Sequence, residues 1–320
     1  MKTKVKLYAL LSAVALLASC DHTDTDLNSS LNSDVRFEIS IEDAEWLDAR
    51  PRVVYKDTTN IAGDTVILGK FQVGDELGLF AVRHSPGSTG ILQPSNNYWH
   101  NVKLSARSTG WVPDGNLFYP TGSDVLDIYA YYPYYASFNN PTDIHFYVAQ
   151  DQRASADYSK NDLLISKKLN HPRGDTIKFS FSHAMAMVQV QLFDPNGILN
   201  ISNGTTLSAR LGTNYPASPL LKRAATVNWA TMGLGAADTQ SDIKMFPVGH
   251  LTYRVLLPPQ MLATGTRLVL TKSDETEEAA FATTDTITLR QSKFTKFEIT
   301  VSADSPDFGG GLEGIDPINP

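Results

Sequence analysis

The stretch from Ile177 to Leu192, IKFSFSHAMAMVQVQL, limits the possible folds more than any other part of the chain. Up to Phe181 its apolar side chains are Ile177, Phe179 and Phe181, with Lys178, Ser180 and Ser182 on the alternate positions. A period of two is the mark of a half-buried strand. Beyond His183 the phase reverses, because Val188, Val190 and Leu192 are apolar and Gln189 and Gln191 polar. Sixteen residues also exceed the usual strand of about five or six. A slip of one residue sends every later side chain to the opposite face. The spacing therefore predicts a bulge or sharp bend near His183–Met187, where the chain leaves one sheet and enters another. On this reading the stretch joins two β-rich halves.

A length of 320 residues is compatible with about two domains. With 42% hydrophobic and 19% charged residues there is enough apolar material for ordinary cores. The formal charge of −7, with no Lys/Arg cluster past the first six residues, gives nucleic acid no footing as a partner. Cys20 is the one cysteine, so an internal disulfide framework and a multi-cysteine metal site are both excluded.

Short alternating runs bounded by turn residues recur along the chain. They predict strands at Val35–Ile41, Val53–Tyr55, Thr65–Leu68, Leu77–Val82, Tyr98–Ala106 with Gly110–Trp111, Val125–Tyr132 and Ile144–Val148. Pro133 cannot donate a ladder hydrogen bond and should close the Val125–Tyr132 strand. Ser155–Leu164 reads as loop, with Asp162–Ile165 as a buried anchor. Beyond the crossing, Thr205–Leu211, Ala225–Trp229, Thr252–Leu257 and Arg267–Leu270 read as strands, and Phe281–Thr288 with Phe294–Val301 as a final hairpin. No window predicts a long amphipathic helix. Many short strands at regular spacing argue for β-sandwiches.

At the front of the chain, Lys2, Lys4 and Lys6 precede an apolar run from Leu7 to Leu17. That run is too short to span a bilayer comfortably and has the flanks of an export signal. Leu17-Ala18-Ser19-Cys20 resembles a bacterial lipobox, which implies acylation of Cys20, cleavage before it and anchoring to a membrane by fat. The acidic residues after it, Asp21, Asp24 and Asp26, are similar to the surface-export signal of lipoproteins of the Bacteroidetes type.

Four further motifs occur in order: Gly74-Asp75-x-Leu77-Gly78-Leu79-Phe80, the Tyr129–Tyr134 run, Asp162-Leu163-Leu164, and Phe179-x-Phe181-x-His183-Ala184-Met185. Together, behind a lipobox, they resemble the fimbrillin family, the lipoprotein-derived subunits of Bacteroidales type V fimbriae. The resemblance implies an all-β chain with two tandem transthyretin-like Greek-key β-sandwich domains. The divisions expected are a signal peptide at 1–20, a polar tether at 21–34, sandwiches at 35–175 and 176–302, and a Gly/Pro-rich tail at 303–320. It also implies a structural and adhesive role at the outer membrane and cell surface, with other fimbrial subunits and a host or bacterial surface ligand as partners. Assembly would be by donor-strand exchange, with Val35–Ile41 displaced and Phe294–Val301 or the tail as donor.

Stalk subunits of the family are cleaved after an arginine near the end of their first strand. Here Arg36 and Arg52 are the candidates, since Arg50 precedes Pro51. The C-terminal end departs from the family, with Gly309–Gly314 in place of a Trp-terminated strand, so a stalk, anchor or tip role stays open.

The residues suggest no catalytic, metal-binding or cofactor site. The seven histidines lack partners at zinc-motif spacing, and there is no Gly-x-Ser-x-Gly elbow. His183, at the change of phase, is expected to be structural and hydrogen-bonded to backbone. Tyr132 is expected to be buried with Leu126, Ile128 and Ala130, and Tyr129 and Tyr131 to take the other face. The alternative to a fimbrial subunit is a monomeric surface lipoprotein that binds glycans through aromatics in loops, Tyr98, Trp99 and Trp111.

Overall fold

The computed structural model describes residues 35–41, 54–59, 65–199, 207–212, 221–235, 239–272, 277–301 and 311–312. Cys20, Arg52, the 1–20 and 21–34 segments and nearly all of 303–320 lie outside them. The described chain is all-β apart from a short helix. Its first half forms β1 (Phe37–Ile41), β2 (Val54–Thr59), β3 (Thr65–Lys70), β4 (Glu76–His84), β5 (Trp99–Arg107), β6 (Gly110–Pro113) and β7 (Val125–Tyr132). These are followed by β8 (His145–Tyr147), β9 (Leu164–His171) and β10 (Ile177–His183), and β11 (Ala186–Phe193) opens the second half.

One seven-stranded sheet runs β1-β10-β9-β7-β4-β5-β6. Strand β10 pairs with β1 over its first five residues, Ile177–Phe181, and with β9 at Ser182 and His183. Because β1 in turn lies against β6, the two ends of the sheet come together around one core. Strand β7 sits near the middle, and its sequence VLDIYAYY, rich in β-branched and aromatic residues, is buried at every position. Alternation splits that strand between two cores. Leu126, Ile128, Ala130 and Tyr132 join the core inside the curled sheet, and Tyr129 and Tyr131 join the core shared with the second half. That is the division the sequence predicts, and it makes the tyrosine run packing material.

The second half contributes a four-stranded sheet, in the order Phe246–Gly249, Thr252–Leu257, β11, Phe294–Thr300. A five-stranded sheet runs Ile243–Lys244, Ser208–Leu211, Arg267–Thr271, Glu277–Thr283, Gly311–Leu312. Strand β8 crosses over to pair with Ala224–Thr226, so a segment from within 35–175 packs with the second half.

The long alternating stretch breaks at Ala184–Met185, within the His183–Met187 bend that the spacing predicts. Ile177, Phe179 and Phe181 point into the core of the curled sheet, and Val188, Val190 and Leu192 into the other core. The reversal of phase is thus a change of core. The bend is clamped on both sides: Ala184 N–H donates to Leu163 O (2.8 Å), and Ser292 N–H donates to Met185 O (2.9 Å).

Two expectations are corrected. Ser155–Lys160 is a helix and not a loop. Six residues are too few for a helical period to be legible; the turn is held by Tyr158, which stacks on Phe246 at 4.8 Å, a contact from the other half of the chain. The final hairpin also does not form. Phe294–Thr300 pairs in parallel with β11 over seven residues, while Glu277–Thr283 pairs with Arg267–Thr271 and Ile287–Leu289 with Gln260–Leu262. Phe297 and Ile299 are buried only alongside Val190 and Leu192, and that burial outweighs nearness in sequence.

Candidate functional site

Strand β1 is the outermost strand of the seven-stranded sheet and runs parallel to β10, with Phe37 opposite Ile177, Ile39 opposite Phe179 and Ile41 opposite Phe181. The clean alternation of FEISI places Phe37, Ile39 and Ile41 on the core side, half-buried, and Glu38 and Ser40 outside. Below them Ile177, Phe179 and Phe181 are fully buried. Phe71 closes this end of the core, edge-on to Trp111 (5.3 Å), Tyr132 (5.4 Å) and Phe181 (5.5 Å). On the outer face Lys178 Nζ donates to Glu38 Oε2 at 2.7 Å, both side chains well exposed. Ile177 N–H donates to the carbonyl of Arg36 at 2.8 Å, and Ser40 Oγ reaches Phe179 O at 3.4 Å.

Loss of β1 would leave two things open at once. The outward N–H and C=O groups along Ile177–Phe181 would lose their partners, and the aromatic floor would face water. Unpaired sheet edges over apolar floors are the surfaces to which extended strands add. Of the candidate cleavage residues, Arg36 is exposed and lies at the start of β1, not its end. Arg52 lies outside the described residues.

Of the other residues singled out from sequence, Trp111 and Tyr132 reach this end of the core through Phe71. His183 is buried, but its Nδ1 lies 2.8 Å from Asp162 Oδ1, so its partner is a carboxylate and not the backbone. His171 shares its Nε2 with the hydroxyl of Tyr119 (3.2 Å) and the carbonyl of Asp175, and burial pushes its pKa down. Trp99 is buried and donates its indole N–H to Phe118 O at 3.2 Å, so it offers no surface to a sugar. Trp111 packs its ring on Phe71. Of that trio Tyr98 alone is exposed.

One pair escaped the reading of the sequence. His84 and Asp127 are both nearly sealed from solvent, with Nε2 and Oδ1 3.0 Å apart. Asp127 also accepts from Gly90 N–H (3.2 Å) and Asn170 N–H (2.8 Å), and so ties one loop and the end of β9 to β7. An acid inside an otherwise apolar strand was the available signal. Among the described residues no group of three or more His, Cys, Asp and Glu is placed to hold a metal ion.

A family model described as fimbrillin-like matches residues 59–313. No curated protein matches the sequence. Among solved structures, a candidate cell adhesion protein from Bacteroides uniformis is similar, with a TM-score of 0.55 and 17% identity over 84% of this chain and 93% of its own. Another, from Bacteroides ovatus, has a TM-score of 0.56 and 15% identity over 81% and 95%. At such identities the likeness concerns the fold alone.

Proposed function

This chain belongs to the fimbrillin-like family, and we propose that it is a structural, adhesive subunit of a cell-surface fimbria, joined to its neighbours by strand exchange. The family is one of non-enzymatic structural proteins, so the chemistry to be explained is cohesion. The observation that carries the reading is β1, an edge strand with half-buried side chains laid over a fully buried floor. A strand from a neighbouring subunit that took its place would recover the main-chain hydrogen bonds to β10. It would also put three alternate apolar side chains over Phe179 and Phe181.

Export as a lipoprotein through Cys20, with a fatty anchor in the outer membrane, completes the proposal. Within it Arg52 is the better maturation residue. A cut after Arg36 leaves Phe37–Ile41 attached to the rest of the chain, whereas a cut after Arg52 frees the whole strand. The two halves, 35–183 and 186–301, are proposed as the two sandwich units.

The test is to place a unique protease site at Arg52 and compare cut with uncut protein on SDS gels without boiling. Cut protein should form SDS-resistant multimers. Cut protein that stays monomeric, while still folded by circular dichroism, sinks the strand-exchange reading.

A further inference from the structure

Strand β8 alternates strictly, with His145 and Tyr147 outside and Phe146 buried. Phe146 belongs to the larger core and packs edge-on to Tyr135 at 6.2 Å. The strand is the outermost of a three-stranded sheet, beside Ala224–Asn228 and then Gly233–Leu234. On its outer face Tyr147 is 56% exposed, more than any other aromatic side chain among the described residues. Its ring and the imidazole of His145 lie within 26° of parallel, with centroids 6.5 Å apart. Asp143 Oδ1 lies 3.0 Å from His145 Nε2, and both side chains are exposed. The residues directly opposite are small. Ala224 pairs with Tyr147 and Thr226 with His145, so neither ring is roofed from across the ladder.

We propose that Asp143, His145 and Tyr147 form a platform for one sugar ring of a neutral glycan. The inference rests on the adhesive part of the proposed function and names the class of molecule to which the subunit adheres. A ring held outside a strand gains from burial only when a partner lies on it. Tyrosine suits that use, being large, amphipathic and cheap to order, with two side-chain angles to fix. The C–H face of a pyranose complements the electron-rich faces of the two rings. The hydroxyls around its rim need donors and acceptors beside those faces. Asp143 has lone pairs beyond the one turned to His145, and Thr226 brings a hydroxyl that both donates and accepts.

Charge narrows the class. The chain carries a formal −7, and the platform itself holds the carboxylate of Asp143, so sulfated, phosphorylated or uronate sugars and nucleic acid are repelled. The backbone is fixed on both sides of the platform. Val148 N–H donates to Arg223 O and Val227 N–H to Ile144 O, both at 2.9 Å. A site built on such a strand loses little freedom when it binds.

The full chain, with Cys20→Ser to keep it free of lipid, can be presented to immobilised oligosaccharides. The neutral probes are glucose-, galactose- and mannose-based, and the acidic ones are heparin and polygalacturonate. Neutral probes should bind, and Tyr147→Ala should weaken the best of them by roughly tenfold or more. Tyr147→Phe, which keeps the ring, should hold most of the affinity. Tyr98→Ala, at the exposed tyrosine beside β5, should bind as the parent does. Thr226→Arg places a long side chain opposite His145 and should also abolish binding, which gives a second block if Tyr147→Ala fails to fold. Neutral binding that survives either block in a folded chain would overturn the platform. So would binding of the acidic probes alone, or of no probe at all. Tyr147→Ala should leave the SDS-resistant multimers of the cut protein unchanged, so sugar binding and strand exchange are read separately and either can fail without the other.

Discussion

Asp127 lies in mid-strand on β7, where an unpartnered carboxylate would cost several kcal/mol. Opposite it the pairing of β7 with β9 slips between Leu126 and Ile128, and Asn170 takes a left-handed conformation, φ 52°. The slip leaves Asn170 N–H without a ladder partner, and Asp127 accepts it. Gly90 is the second donor, and any side chain there would collide with the pair, a Cβ coming within 2.8 Å of Asp127 Oδ2. Asp127→Ala should therefore lower stability by about 3 kcal/mol in urea unfolding, since it orphans buried donors and a buried imidazole. Burial opposes the charge on His84, but the bond to Asp127, the Ser85 carbonyl and the nearby carboxylates outweigh it and raise its pKa above the usual imidazole range. A raised folded pKa contributes stability that is complete below about pH 6.5 and is lost as the pH climbs through the folded value. His84→Gln should accordingly cost more in urea midpoint at pH 6 than at pH 9; an equal loss at both would mean the pair is held without the proton. Gly78 shows the other kind of constraint. A Cβ there would fall 2.0 Å from the ring of Tyr131, which cannot retreat because its hydroxyl donates to Asn101 Oδ1 at 2.5 Å. Gly78→Ala should destabilise by about 3 kcal/mol, read from thermal or urea unfolding.

At the scale of elements the two outermost strands β1 and Phe294–Thr300 differ in how firmly they are held. Phe37, Ile39 and Ile41 are half-buried, whereas Phe297, Ile299 and the following Val301 are buried. Local opening free energy follows buried apolar contact. Amides of Phe37–Ile41 should therefore exchange with deuterium well before those of Phe294–Thr300. Equal protection would mean β1 is no looser than Phe294–Thr300, and would weaken its role as the strand that leaves. Much of this level was legible beforehand. The period of two located β1, β7 and β10, and Pro133 does end β7. Pairing was less legible. Phe294–Thr300 alternates as expected, but alternation says which face is apolar, not which strand lies alongside.

Taken whole, the molecule is less divisible than its sequence suggests. The larger core contains Phe80, Tyr129 and Tyr131 from the first half together with Val188, Val255 and Phe297 from the second. Tyr129 packs edge-on to Trp229 at 5.4 Å, and the indole N–H of Trp229 donates to Pro141 O at 2.9 Å. Strand β8 pairs across the same boundary. Units that share a core cannot unfold far apart in free energy, so calorimetry should record one cooperative transition. Two well-separated transitions would mean the shared core contributes little.

What the sequence determined by itself was periodic. It gave the β class, the position of most strands, the burial of the tyrosine run and the reversal of phase near His183, because each depends only on which neighbours in the chain are apolar. What the tertiary structure alone decided was who meets whom. The carboxylate beside His183, the helix held by Phe246, the burial of Trp99 and the place of Phe294–Thr300 beside β11 all depend on residues far apart in the chain.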